Sequence, residues 1–129
     1  MTTEFQVRLA NRPGMLATLA EQVSSAGINI EALTAYGVDE DGVVHLVTDD
    51  HVTTRSVLTR AGLSFEERTV LVTILDHRPG SMAAMSRRLA DSGVNIEAVY
   101  LLRSSAEGLE FALAVDDPEL AKTKITLAR

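Results

Sequence analysis

The residues best placed to do chemistry in this chain occur in two matching settings. Asn11, Arg12, Pro13, Gly14, Met15 and Leu16 read N-R-P-G-M-L, and His77, Arg78, Pro79, Gly80, Ser81 and Met82 read H-R-P-G-S-M. Further on, Asn29 stands between Ile28 and Ile30, and Asn95 between Val94 and Ile96. A helix entered through Pro-Gly presents unpaired N–H groups at the positive end of its dipole, a setting that suits a carboxylate. Gly14 and Gly80 have no side chain to block that approach. Asn supplies one acceptor oxygen and an NH2 donor. Together these groups match an α-amino acid, which carries an ammonium and a carboxylate on one carbon. A plainer alternative stays open: Pro-Gly only shapes a turn, and Asn only satisfies nearby backbone.

Other chemistries find little support. The 129 residues include no cysteine, which removes disulfides, thiol nucleophiles and cysteine-bound zinc together. There is no phosphate-binding loop, dinucleotide fingerprint, nucleophile elbow or H-E-x-x-H. Asp49, Asp50 and His51 with His45 read as a strand-to-helix junction rather than a metal site. We therefore expect no catalytic residue, no metal and no cofactor. The net charge of -6, with no basic cluster beyond Arg87-Arg88, repels a phosphate backbone. An RNA-recognition module would also need basic charge and stacking aromatics on its sheet. The apolar runs are too short to span a bilayer, and Met1-Thr2-Thr3-Glu4 lacks targeting features. A cytoplasmic protein is the expectation.

The two settings belong to a longer repeat. Residues 5–63 set against 71–129 at a constant offset of 66 give twelve identities in 59 ungapped pairs. Composition alone gives about three or four. The identities cluster at Arg12-Pro13-Gly14 and at Asn29-Ile30-Glu31-Ala32, with outliers that include Gly42/Gly108 and Asp50/Asp116.

Each copy must position these residues with strands and helices. Phe5, Val7 and Leu9 alternate with polar neighbours as a half-buried strand does. Pro13 suits a first helical turn; Leu16, Leu19, Ala20 and Val23 follow at helical spacing, and Gly27 ends the helix. Met82 and Met85 take matching positions as core filler. A strand from Ile28 towards Val38 turns at residues 39–42 and returns over Val43–Thr48. Asp50 and Asp117 read as caps of second helices carrying Val57, Leu58 and Ala61, then Leu120, Ala121 and Ile125. Residues 63–75 supply a last strand to copy one and a first strand to copy two. The pattern is α+β: two ferredoxin-like βαββαβ units, residues 1–68 and 69–129, each an antiparallel sheet with helices on one face. Copy two ends after its second helix, with no residues left for a fourth strand.

The run N-R-P-G, an amphipathic helix and G-I-N-I-E-A-L resembles the ACT domain, a βαββαβ module that binds amino acids and regulates metabolic enzymes. H-R-P-G followed by G-V-N-I-E-A-V resembles a second, so the pair covers nearly the whole chain. The resemblance implies a non-catalytic sensor whose ligand sits between paired domains, where the first turn of one meets the Asn-bearing strand of its neighbour. Copy one is similar to the serine-sensing domain of phosphoglycerate dehydrogenase, which implies Asn11 and Asn29 as ligand residues. That family has His two residues before the first Asn, where this chain has Leu9. N-I-E-A-L is equally similar to the regulatory subunit of acetolactate synthase, which senses branched-chain amino acids. The expected partners are a small amino acid, further copies of the chain and a metabolic enzyme; a subunit that mainly scaffolds a biosynthetic enzyme is the alternative. His77 and Ser81 replace Asn11 and Met15, so the two sites need not be equivalent.

Overall fold

The computed structural model describes residues 2–128. Its elements run β1 (Thr2–Ala10), α1 (Met15–Ser25), β2 (Ile30–Val38), β3 (Asp41–Thr48), α2 (His51–Arg60) and β4 (Ser64–Leu75). They continue with α3 (Ser81–Asp91), β5 (Ile96–Ser105), β6 (Gly108–Val115) and α4 (Pro118–Ala121). The chain divides into two compact units, one of Thr3–Arg68 and one from Thr69 onward that also takes in Thr2. No helix among the described residues is long and apolar enough to cross a membrane.

In the first unit the strands lie in the order β2-β3-β1-β4. Both β1 and β2 run antiparallel to β3, with Phe5 opposite Leu46 and Leu33 opposite Leu46 on its other side. Alternation sends Phe5, Val7 and Leu9 to one face, where they meet Leu19 and Val23 of α1 and Leu58 of α2. Both helices therefore cover the same side. Each such side chain taken out of water contributes about 1.5–3 kcal/mol, and this contribution fixes the register. In the second unit the order is β4-β6-β5, and Leu71, Leu113 and Val115 pack on Met85 and Leu89 of α3. The stretch Ser64–Leu75 is one continuous strand, as its spacing predicted, with no helix anywhere in it.

Four expectations need correction. Pro13 lies before the helix: Gly14 takes φ 89 as the residue preceding α1, and the helix begins at Met15. Leu16 and Met82 are exposed, because Met15 and Met85 point at the cores instead. The second helix of copy two is only one turn, Pro118–Ala121. That brevity leaves residues for the place thought empty. Ile74 N–H donates to Thr126 O at 3.2 Å, Ala128 N–H to Val72 O at 2.8 Å, and Thr73 bridges Leu127.

The repeat is also not gapless. In the first unit Ala35 pairs with Val44 and Tyr36 with Val43; in the second Leu101 pairs with Phe111 and Arg103 with Glu110. The register shift between Leu101 and Arg103 leaves Leu102 as an extra residue. Beyond it the offset is 67, so Gly37 corresponds to Ser104, and Asp49 and Asp50 to Asp116 and Asp117. The identities Gly42/Gly108 and Asp50/Asp116 were coincidences of the ungapped comparison. The two caps match under the corrected offset: Asp50 accepts from Thr53 N–H and Asp117 from Leu120 N–H.

Candidate functional site

The turn after β1 is built around Asn11. Its backbone N–H donates to Glu40 O at 2.8 Å, and its side-chain nitrogen donates to Asp39 O at 2.9 Å. Asp39 has φ 56, so the β2–β3 hairpin carries a left-handed residue where Asn11 grips it. The Asn11 amide lies flat on Gly37, where any Cβ would overlap it. One side-chain N–H of Asn11 is committed to Asp39, which leaves the second N–H and the acceptor oxygen for a ligand. Arg12 and Pro13 are exposed on the turn, and the left-handed Gly14 and Gly80 open α1 and α3 without any side-chain cap. The leading N–H groups of both helices therefore have no capping side chain.

Beside this turn the first unit has a cavity of about 220 Å³. Leu9, Met15, Leu16, Ala35 and Val44 supply apolar lining, and Asn11 and Arg12 its polar residues. Among the described residues of that lining, Arg12 is the only charged one. The corresponding turn of the second unit differs. Its cavity of about 290 Å³ is lined by Asp76, His77, Ser104, Ser105 and Glu107 among others. Arg78 reaches Asp76 at 3.3 Å, whereas Ala10 stands where Asp76 would be in copy one. Ser81 Oγ, on the first residue of α3, is buried with no hydrogen-bond partner among the described residues.

Asn29 and Asn95 are exposed, between buried Ile28 or Val94 and half-buried Ile30 or Ile96. Their backbones do the holding. Asn29 N–H donates to Asp49 Oδ1 at 2.9 Å and Asn29 O accepts from Asp49 N–H at 3.1 Å. Asn95 repeats this with Asp116 at 2.9 and 3.2 Å. No side-chain hydrogen bond of either Asn is found among the described residues, so both amides face solvent. Within one unit Asn11 and Asn29 are not brought together. Ala10 and Val38 both pair with Asp41 at one end of the sheet, while Ile30 pairs with Thr48 at the other.

A polar set on the sheet face opposite the helices escaped the sequence reading. Glu4 is fully buried; Arg68 Nε donates to its Oε1 at 2.6 Å, and His45 Nδ1 lies 3.2 Å from the same oxygen. Tyr36 stacks on the His45 ring with centroids 5.8 Å apart. In the alternation of β1, Glu4 looks like any solvent-facing residue, and nothing in its neighbours marks it. Copy two has Val70 and Ala112 in these places. Asp49 and Asp50 are engaged in backbone hydrogen bonds, apart from His45.

No curated protein matches the chain. Solved structures show the fold. Protein BT0572 of Bacteroides thetaiotaomicron is 18% identical with TM-score 0.87, covering 98% of this chain and 91% of that one. Aspartokinase alpha and beta subunits are 22% identical at TM-score 0.66, over 95% and 88%. The regulatory subunit of aspartate kinase from Thermus thermophilus, in its ligand-free form, is 15% identical at 0.67, over 96% and 87%. The family described as ACT domain pair matches residues 1–129. With two βαββαβ-type units built on the repeated Pro-Gly turns, this chain belongs to the ACT domain pair family.

Proposed function

We propose that the protein is a non-catalytic amino-acid sensor that regulates a metabolic enzyme, either by direct contact or through a change of oligomer. The observation that carries this reading is the cavity beside the first turn, where Asn11 and Arg12 join an otherwise largely apolar lining. An ammonium and a carboxylate match those two groups. The exposed amides of Asn29 and Asn95 support a role at a contact with another domain, since each is too far along the sheet to serve the turn of its own unit. Kinship in fold with regulatory subunits of aspartate kinase fits an enzyme as the receiver of the signal.

The test is a thermal-shift screen against the twenty amino acids, followed by calorimetry on Asn29→Ala and Asn95→Ala. A ligand at about 100 times its Kd stabilises the fold by about 2.7 kcal/mol. Loss of the amide partner should weaken binding by about 1–3 kcal/mol while the melting temperature without ligand stays put. Two folded variants that bind like the parent would remove the asparagines from the site. A stoichiometric enzyme partner recovered without any amino-acid response would favour a scaffolding subunit instead.

A further inference from the structure

We propose that Tyr36 is a reactive tyrosine, a site that accepts an acyl group from an activated ester, with His45 as its base and Glu4 orienting that base. The proposal stands apart from the amino-acid-sensor reading and uses the sheet face opposite the helices. Four strands of the first unit bring the set together: Glu4 from β1, Tyr36 from β2, His45 from β3 and Arg68 from β4. Tyr36 Oη lies 3.5 Å from His45 Nε2, and His45 Nδ1 lies 3.2 Å from Glu4 Oε1. Nucleophile, base and orienting carboxylate thus follow one another through the two nitrogens of one imidazole.

The proton positions follow from the partners. An ionised Glu4 oxygen only accepts, so the Nδ1 beside it carries a hydrogen and Nε2 keeps the lone pair that receives the Tyr36 proton. Arg68 Nε donates to that same oxygen at 2.6 Å, which makes the guanidinium the partner of Glu4 and balances the buried charge. Its Nη2 stands farther from the ring, 3.4 Å from Nδ1. Exposure runs the opposite way along the set. Glu4 and His45 are buried, whereas Tyr36 is 50% exposed. A small ester can reach the phenol while the carboxylate that holds the ring stays out of water.

Stability does not account for these residues. The second copy has Val70, Arg103 and Ala112 where the first has Glu4, Tyr36 and His45, and Val70 and Ala112 are fully buried. The same strands are therefore built there with apolar side chains, and a buried ion set is commonly no more stabilising than such a replacement. The chemistry balances as follows from the geometry. The Tyr36 oxygen forms a bond to the acyl carbon with its own electron pair, and its proton passes to His45 Nε2. The bond from the acyl carbon to the ester's leaving oxygen breaks. That oxygen departs with the bonding pair and takes the proton from the imidazolium. The products are acyl-Tyr36 and a free hydroxyl compound, with His45 neutral again.

The experiment treats the intact chain with p-nitrophenyl acetate near neutral pH and follows acetylation of Tyr36 by peptide mass, with N-acetyl-L-tyrosinamide as the free-phenol reference. Tyr36 should react at least about tenfold faster than the reference, because a positioned base adds what a free phenol lacks. Its rate should also climb with pH less steeply than that of the reference, whose attack depends on prior ionisation. His45→Gln and Glu4→Gln, each checked for an intact melting transition, should bring the Tyr36 rate down towards the reference and restore the steeper climb. The exposed Tyr36→Phe should melt like the parent and lose the fast acetylation. Parent Tyr36 that reacts no faster than the reference, or acetyl groups confined to amines, overturns the proposal without recourse to any variant. A folded His45→Gln that acetylates Tyr36 as fast as the parent, with the same pH profile, overturns it as well.

Discussion

Asn11 donates one side-chain N–H to the Asp39 carbonyl while its amide plane covers Gly37. Gly37→Ala should therefore push the amide off its acceptor and cost about 0.5–1.5 kcal/mol in urea denaturation. In an Asn11→Ala background the same change should cost almost nothing, because the obstructing amide is gone. Equal penalties in the two backgrounds would dismiss the contact. Arg12 and Asn29 stood out in the sequence by their repetition, and Asn11 by the resemblance of its turn to a known family. What each group touches was not, since the hairpin that Asn11 grips lies 28 residues further along the chain. Glu4, His45 and Arg68 were invisible for the same reason: only the pairing of β1 with β3 brings the first two together.

Elements followed the sequence wherever local signals were strong. Asp50 caps α2 as its position before the helix implied, with Thr53 giving both its N–H and its hydroxyl, at 3.0 and 2.6 Å. Those hydrogen bonds, the side-chain one foremost, hold the Asp50 carboxyl below the ordinary carboxylate range. A depressed folded value means that the stabilisation is present above the unfolded-state value and drains as pH falls through the folded one. Asp50→Asn keeps an acceptor but does not titrate, so its melting temperature should depend less on pH than the parent's below about pH 4. Parallel acid limbs would refute that linkage. The length of α4 and the extra Leu102 were not legible, because a one-turn helix and a bulge leave no periodic trace. The short α4 frees Thr126, whose carbonyl accepts from the fully buried Thr73 hydroxyl at 2.8 Å. Thr73→Val should cost about 0.5–1.5 kcal/mol and speed hydrogen exchange at Ala128 N–H, which pairs with Val72 O.

At the scale of the molecule, each unit ends on a strand with one side unpaired, β2 in the first and β5 in the second. Tyr36 and Val38 are exposed on one, Val99 and Leu101 on the other. Apolar open edges of this kind invite pairing, so light scattering at tens of micromolar should give at least a dimer. A stable monomer, unaffected by amino acids, would contradict this. That two units exist was plain from the repeat, and His77 and Ser81 already set the second turn apart; that Val70 and Ala112 stand in for Glu4 and His45 was not, because identical residues drew attention away from other positions that differ. Those positions also constrain history. Copy one pairs Asn11 with Gly37, and copy two pairs His77 with Ser104. Asn beside any residue bearing a Cβ is the obstructed combination. Whichever pair is older, the least hindered path between them crosses glycine with histidine, so the glycine is the last to leave or the first to arrive.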